Sequence, residues 1–429
     1  MNLIERDRNS IWHPFTPLTS SAEVIPIKSA KDCYLITEDG REIIDCIGSW
    51  WVNLHGHSNE YIAKKIYEQA LQLEHVIFAG FTHKPAILLA ERLLKILPQN
   101  QSKIFYSDNG STSVEVALKM AFQYWHNKGE DRKKIIAFND AYHGDTFGAM
   151  SVGGRSVFTT PFFSFLFDVE FIDFPFQNSD PSNIISSFIK ICESGNVASF
   201  IFEPLVQGAA GMRMYDKEVL DKLINIAYQF DVICIADEVM TGFGRTGKLF
   251  ASDHLKNKPD IICLSKGLTG GSMALGVTSC TEKIIQAFQV DDLLKTFFHG
   301  HSFTANPIAC AAANASLDIL LSDECLNNIK RIEIENLNFQ NRIENHPNVK
   351  DVRCLGVILA IELNTDYETS YVNEARHYLY SYFLNKNILL RPLGNVIYIL
   401  PPYIITDEQL AFVYNIIFNF LEEMNSLTQ

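Results

Sequence analysis

Two stretches decide the fold: Val232-Ile233-Cys234-Ile235-Ala236-Asp237-Glu238 and, further on, Asp260-Ile261-Ile262-Cys263-Leu264-Ser265-Lys266-Gly267. Each is a short apolar run of the length of a strand buried on both faces, and each ends on charge. A carboxylate or an amine at the C-terminal end of a buried parallel strand stands where open α/β sheets place their ligands. Working outward, apolar runs at 103–107, 134–138, 199–203 and 275–280 alternate with helical patterns. Between the first two, Val114, Ala117, Leu118, Ala121, Tyr124 and Trp125 share one helical face. A second helix opens at Asn306-Pro307, where Asn caps and Pro suits the first turn. Strands alternating with helices predict an α/β architecture, a parallel sheet covered on both faces.

The rhythm changes near residue 325. The runs 357–363 and 396–400 read as strands of a smaller sheet, and Thr406-Asp407-Glu408-Gln409 is the capping-box opening of a last helix. The expected organisation is a large α/β domain over residues 50–320. Residues 1–49 and 321–429 together form a smaller α+β domain. With 429 residues, 47% hydrophobic and 20% charged, the chain has an ordinary globular balance. A net charge of -14 argues against nucleic-acid or anionic-membrane partners. Nine scattered cysteines without a C-x-x-C pair read as reduced thiols, not a zinc site or a disulfide framework. No signal core and no uncharged apolar run of roughly 18 residues is present, so a cytoplasmic protein without a metal is expected.

Which residues carry chemistry? Asp237-Glu238 after an apolar strand also resembles a Walker B segment, and Gly242-Phe243-Gly244-Arg245-Thr246-Gly247-Lys248 nearly spells a P-loop. The P-loop requires Ser or Thr next, where this chain has Leu249, and it should precede the acidic strand instead of following it. Lys266 is the more telling residue. Lysines keep their ammonium in water, and one that ends an apolar strand has its pKa lowered toward that of a usable amine nucleophile. Pyridoxal phosphate (PLP) chemistry uses such a lysine, together with an Asp that keeps the pyridine nitrogen protonated. Lys266 and Asp237 on neighbouring strands supply both. Ser107-Asp108-Asn109-Gly110-Ser111-Thr112 joins a strand to a helix and offers an anion cradle, or simply an N-capped turn. Tyr142, in Ala141-Tyr142-His143-Gly144, either lies over a planar cofactor or packs in the core.

Taken in order, Asn109-Gly110-Ser111, Tyr142-His143-Gly144, Asp237-Glu238, Thr241 to Gly247 and Ser265-Lys266-Gly267 resemble the class III aminotransferases. The resemblance implies the fold-type I PLP architecture, with a mainly parallel seven-stranded sheet, and a homodimer with shared active sites. The chain is most similar to the branch that converts 8-amino-7-oxononanoate to 7,8-diaminononanoate for biotin, by ping-pong transamination. Trp12 to Thr16, Ser49-Trp50-Trp51, Glu203 to Gly208 and Arg391-Pro392-Leu393-Gly394 carry that similarity.

By resemblance, Gly110 and Ser111 hold the cofactor phosphate and Tyr142 packs beside the ring. Asp237 meets the ring nitrogen and Lys266 forms the Schiff base. Gly300, His301 and Ser302 come from the partner subunit, Ser302 reaching the phosphate. Phe15, Trp50 and Trp51 line the substrate channel, and Arg391 takes the keto substrate's carboxylate, for which its planar fork is suited. Three departures stand out. Phe15 replaces a tyrosine of many relatives, and His299-Gly300-His301-Ser302 replaces His-Gly-Pro-Thr. Val206 to Gly211 lacks the acidic residue of relatives that act on ornithine or 4-aminobutyrate. S-adenosylmethionine is the expected amino donor; L-lysine, or another ω-amino substrate altogether, is the alternative.

Overall fold

A computed structural model describes residues 2–19, 24–156, 159–365 and 375–427. The main sheet is built from β1 (Gln101–Ser107), β2 (Lys134–Phe138), β3 (Glu170–Ile172), β4 (Val197–Phe202), β5 (Ile233–Asp237), β6 (Ile261–Leu264) and β7 (Gly276–Thr281), in the order β1-β7-β6-β5-β4-β2-β3. Every residue of β4, β5 and β6 is buried, which is why their sequences read as unbroken apolar runs and not as an alternation. Only β7 runs antiparallel, to both β6 and β1. Its return brings the loop after Lys266 back over the edge where the parallel strands end.

Helix α1 (Gly110–Lys128) covers one face, burying Val114, Ala117, Leu118, Ala121, Tyr124 and Trp125 as its periodicity predicts. Helix α2 (Pro307–Leu320) is capped by Asn306, whose side chain accepts the Ala309 N–H, with Pro307 in its first turn. Past α2, the helix α3 (Asp323–Ile343) and the terminal helix α4 (Asp407–Leu427) meet through stacked Phe339 and Tyr414 rings, 4.4 Å apart. Thr406 and Gln409 exchange the two capping-box hydrogen bonds at the start of α4. Val349–Leu355, Ile358–Leu363 and Val396–Ile399 form a separate antiparallel sheet.

The strands within residues 27–45 join the chain's far end. Ile27–Lys31, Tyr34–Thr37 and Glu42–Asp45 make an antiparallel sheet, and Ile388–Leu389 adds to it, parallel to Glu42–Asp45. Two expected strands sit one residue later than their apolar runs suggest, at β5 and β7. The three-residue edge strand β3 is too short to show a period. Among the described residues, no helix is long and apolar enough to cross a membrane.

Candidate active site

Strand register brings the two charged strand ends together. Asp237 closes β5 opposite Cys263 of β6, and the chain reaches Lys266 three residues further along that neighbouring strand. Both line a cavity of about 590 Å³ at the C-terminal edge of the sheet, between the ends of the parallel strands. The Asp237 carboxylate is 5% exposed and held from two sides. Its Oδ2 is 2.7 Å from His143 Nδ1, and its Oδ1 accepts the Val239 N–H at 3.1 Å. His143 is itself buried, and its Nε2 has no partner among the described residues.

Enclosure pushes the Lys266 ammonium's pKa down; the negative charges of Asp237 and Glu203 oppose that shift, and Arg245 adds to it. The net direction favours the neutral amine, which is the nucleophilic form. Lys266 has φ +40°, a left-handed backbone rare for a side-chain-bearing residue. Its Nζ lies 4.9 Å from the centroid of the Trp51 ring.

The anion cradle lies at the start of α1. Asn109 accepts the Thr112 N–H, and Thr112 Oγ1 accepts the Asn109 N–H in return. That reciprocal cap leaves the N–H groups of Gly110 and Ser111, in the first helical turn, to the cavity. Side chains are excluded at two points around it. A Cβ on Gly110 would come within 2.8 Å of Val239 Cγ1, and one on Gly276 within 2.4 Å of the Asn109 carbonyl oxygen. Ser111 Oγ faces the next loop, accepting the Asp145 N–H at 3.2 Å. Tyr142 stands at the rim, its hydroxyl donating to Asp145 at 3.0 Å. An enclosed amine, a buried carboxylate and a helix N-terminus free of side chains make a donor set that fits a phosphorylated pyridine aldehyde.

Glu203, just past β4, was quoted in the sequence only as part of a longer stretch, yet it lines this cavity. Its two oxygens accept the N–H groups of Tyr142 and Gly208, at 3.0 and 2.9 Å. Burial pushes its pKa up to about 7; Asp237 adds to the shift, while His143 and the two N–H donors oppose it. The available signal was an acid at the end of an apolar run, the same signal that singled out Asp237. His143 sat beside Tyr142 in its motif without a role of its own. By contrast, Glu238 is fully buried and bound by Thr241 and the N–H groups of Ala251 and Ser252. The P-loop-like 242–248 segment forms turns and bends, and it is followed by a four-residue 3-10 helix, Ala251–His254, in place of the α-helix a P-loop opens.

The tryptophan pair does not lie on a strand. It occupies Gly48–Trp51, where φ is positive at four successive residues: Gly48 (54°), Ser49 (44°), Trp50 (73°) and Trp51 (72°). For residues with a Cβ this left-handed region costs roughly 1–2 kcal/mol each. The turn is anchored at both ends. At one, the buried Asp45 takes Ser49 Oγ (2.7 Å) and His57 Nε2 (2.9 Å) on Oδ2, and the Ile47 N–H (3.1 Å) on Oδ1. At the other, the fully buried Arg245 donates to the carbonyls of Trp51, Asn53 and Pro401, at 3.2, 3.1 and 3.1 Å.

The turn sends the two indoles to different neighbours. Trp51 is buried beside Lys266, its Nε1–H donating to the Tyr398 hydroxyl at 3.0 Å. Trp50 is 39% exposed; Phe15 meets it edge-on at 5.6 Å and the Arg391 guanidinium lies 4.5 Å from its ring. Among the described residues, no carboxylate pairs with Arg391. Gly300, His301 and Ser302 do not line this cavity. They belong to a segment whose Leu293, Leu294, Phe298 and Phe303 are exposed.

Comparison with known proteins follows the same lines. Residues 18–421 match the family model described as aminotransferase class III. The adenosylmethionine-8-amino-7-oxononanoate aminotransferase of Synechococcus elongatus is 47% identical, over 96% of this chain and 99% of that one. Its Staphylococcus aureus namesake is 37% identical over 96% of each. The crystal structure of the enzyme of that name from Methanocaldococcus jannaschii matches with a TM-score of 0.91 at 35% identity, covering 98% of both chains. A transaminase from the marine bacterium Virgibacillus matches with a TM-score of 0.92 at 26% identity, covering all of both.

Proposed function

This chain belongs to the class III aminotransferases, and from that premise we propose that it aminates 8-amino-7-oxononanoate to 7,8-diaminononanoate in biotin synthesis, with pyridoxal phosphate as cofactor. The observation that carries the reading is Arg391, a cation without a carboxylate partner among the described residues, placed over the Trp50 ring. An alkyl chain between ketone and carboxylate suits an amine that faces Trp51 and a guanidinium that faces Trp50.

When bound, pyridoxal phosphate supplies an aldehyde that takes up the amino group and a ring that draws electrons from the carbon losing its proton. Gly110 and Ser111 would hold its phosphate through their N–H groups, and Tyr142 would pack beside its ring. Asp237, fixed by His143, would keep a proton on the ring nitrogen. Lys266 would be the point of attachment for the aldehyde, and its amine would take a proton from the substrate carbon as base and return it as acid. Trp51 and the enclosure around Lys266 exclude water from that transfer. Donor and acceptor use the same site in turn, which gives ping-pong kinetics.

Gly300, His301 and Ser302 complete the site of a second copy, in a homodimer whose contact includes the exposed apolar residues around them. All nine cysteines are free, which suits the reducing cytoplasm. S-adenosylmethionine is the donor in this reading, because Phe15, Trp50 and Trp51 give an adenine ring faces to stack on. L-lysine is favoured by the absence of a hydroxyl at Phe15 and by His301 in place of a proline. The two separate in a half-reaction: the PLP form is mixed with each donor alone and its conversion to the aminated cofactor followed by absorbance. Conversion by lysine and not by S-adenosylmethionine overturns the donor assignment. Failure to aminate 8-amino-7-oxononanoate with any donor overturns the function.

A further inference from the structure

The left-handed turn at Gly48–Trp51 poses a physical question. Ser49, Trp50 and Trp51 all adopt a backbone that side chains disfavour, and Trp51 lines the cavity, so something must hold them there. Around the turn, the chain spends buried charge on doing so. Asp45 is wholly buried and accepts three hydrogen bonds, two of them from residues before and within the turn and the third from His57. His57 is itself fixed in place by Asn53 Nδ2 at 3.3 Å from its Nδ1, and Asn53 is the residue whose carbonyl Arg245 holds. The backbone adds to this: the Trp51 N–H reaches the Ile47 carbonyl at 2.8 Å, and the Val52 and Asn53 N–H groups both reach the Gly48 carbonyl at 2.9 Å. A closed loop of polar contacts thus runs from Asp45 through His57 and Asn53 to Arg245, with the tryptophan pair inside it.

What does a left-handed turn achieve here that a strand or a right-handed turn would not? In a strand, adjacent side chains point to opposite faces of the sheet. In the observed turn, Trp51 meets Lys266 while Trp50 meets Phe15 and Arg391. Trp51 thus lines the cavity beside the Lys266 amine, and its neighbour Trp50 lies against the Arg391 guanidinium.

We propose that Asp45, through Ser49 and backed by His57, is a positioning residue for substrate selection: it holds the turn left-handed and so sets Trp50 against Arg391. The proposal rests on the reading of Arg391 as the receptor of the substrate carboxylate. None of Asp45, Ser49 or His57 touches the reacting atoms, so their loss acts through the placement of Trp50.

Ser49 separates a held conformation from a merely structural one. Ser49→Ala removes the bond to Asp45 and keeps the Cβ that disfavours the turn. Ser49→Gly removes the same bond together with the steric penalty. In Ser49→Ala the KM for 8-amino-7-oxononanoate rises about tenfold, with kcat and the absorption of the bound cofactor close to wild type. In Ser49→Gly it returns to within about threefold of wild type. An unchanged KM in Ser49→Ala, or equal impairment in both variants, overturns the proposal. Wild-type turnover of 8-amino-7-oxononanoate tests the function by itself. If the wild type does not turn that acceptor over, near-ultraviolet circular dichroism of the tryptophans decides the brace without substrate. A spectrum altered in Ser49→Ala and restored in Ser49→Gly supports it; two identical spectra overturn it.

Discussion

Replacing Arg391 by alanine removes two contacts of different size. The guanidinium lies 4.5 Å from the centroid of the half-exposed Trp50 ring, a cation–π contact of about 0.5–1 kcal/mol in such surroundings. A bidentate, charge-assisted bond to a substrate carboxylate contributes more, and truncating one partner of such a pair costs on the order of 2–5 kcal/mol. Because the site opens to solvent at Trp50, the lower part of that range applies, about 2–3 kcal/mol or roughly 30- to 150-fold in kcat/KM. The assay compares 8-amino-7-oxononanoate with its methyl ester, which has the same ketone and no carboxylate, at saturating donor. Wild type should favour the acid by that factor and Arg391→Ala should favour neither. Arg391→Lys, which keeps the charge but loses the planar fork, should fall between them. An alanine variant that still prefers the acid by the wild-type factor would refute the reasoning. Arg245 offers no fallback, since it is buried in the core with Nη1 and Nη2 donating to backbone carbonyls.

Lys266→Ala should fold, yet show neither turnover nor a borohydride-reducible link to the cofactor; retention of that link would show another lysine to be the attachment point. For Glu203, folding raises the carboxyl pKa from 4.5 to about 7. Its contribution is therefore full at low pH and lost as pH rises through 7, an effect on the order of 3 kcal/mol. Urea unfolding of the apoprotein should accordingly lose less stability between these pH values in Glu203→Gln than in wild type, and parallel curves would contradict the assignment. Tyr398→Phe leaves the buried Trp51 Nε1–H without its acceptor and should lower unfolding stability by about 1–3 kcal/mol; an unshifted urea midpoint would show that another group takes the proton.

Asp237 and Lys266 were legible because burial on both faces makes β5 and β6 continuous apolar runs, and a charge ending such a run stands out. Helix α1 was legible for a related reason, its buried positions repeating on one face. The antiparallel direction of β7 was not, since a short apolar strand carries no mark of its direction. Glu203 had the same strand-end signal as Asp237, but the two backbone N–H groups that it binds come from loops whose approach no local pattern reveals. Least legible was the turn at Gly48–Trp51. Adjacent tryptophans predict aromatic burial in any backbone, and the left-handed one depends on Asp45 and Arg245, far apart in the chain. The meeting of Phe15, Trp50 and Arg391 is likewise a product of tertiary structure alone.

The short parallel ladder that sets Ile388 against Ile44 and Leu389 against Asp45 has a consequence for how the protein is made. The residues that would hold the cofactor, from Gly110 to Lys266, have left the ribosome well before the chain ends. Phe15 and the tryptophans emerge earlier still, but their wall stays open until Ile388, Leu389 and then Arg391 arrive to close it. Contacts across so long a span form late, because the intervening loop must close first. A nascent chain therefore becomes able to grip a cofactor before it becomes able to choose a substrate, and selectivity is the last property synthesis confers.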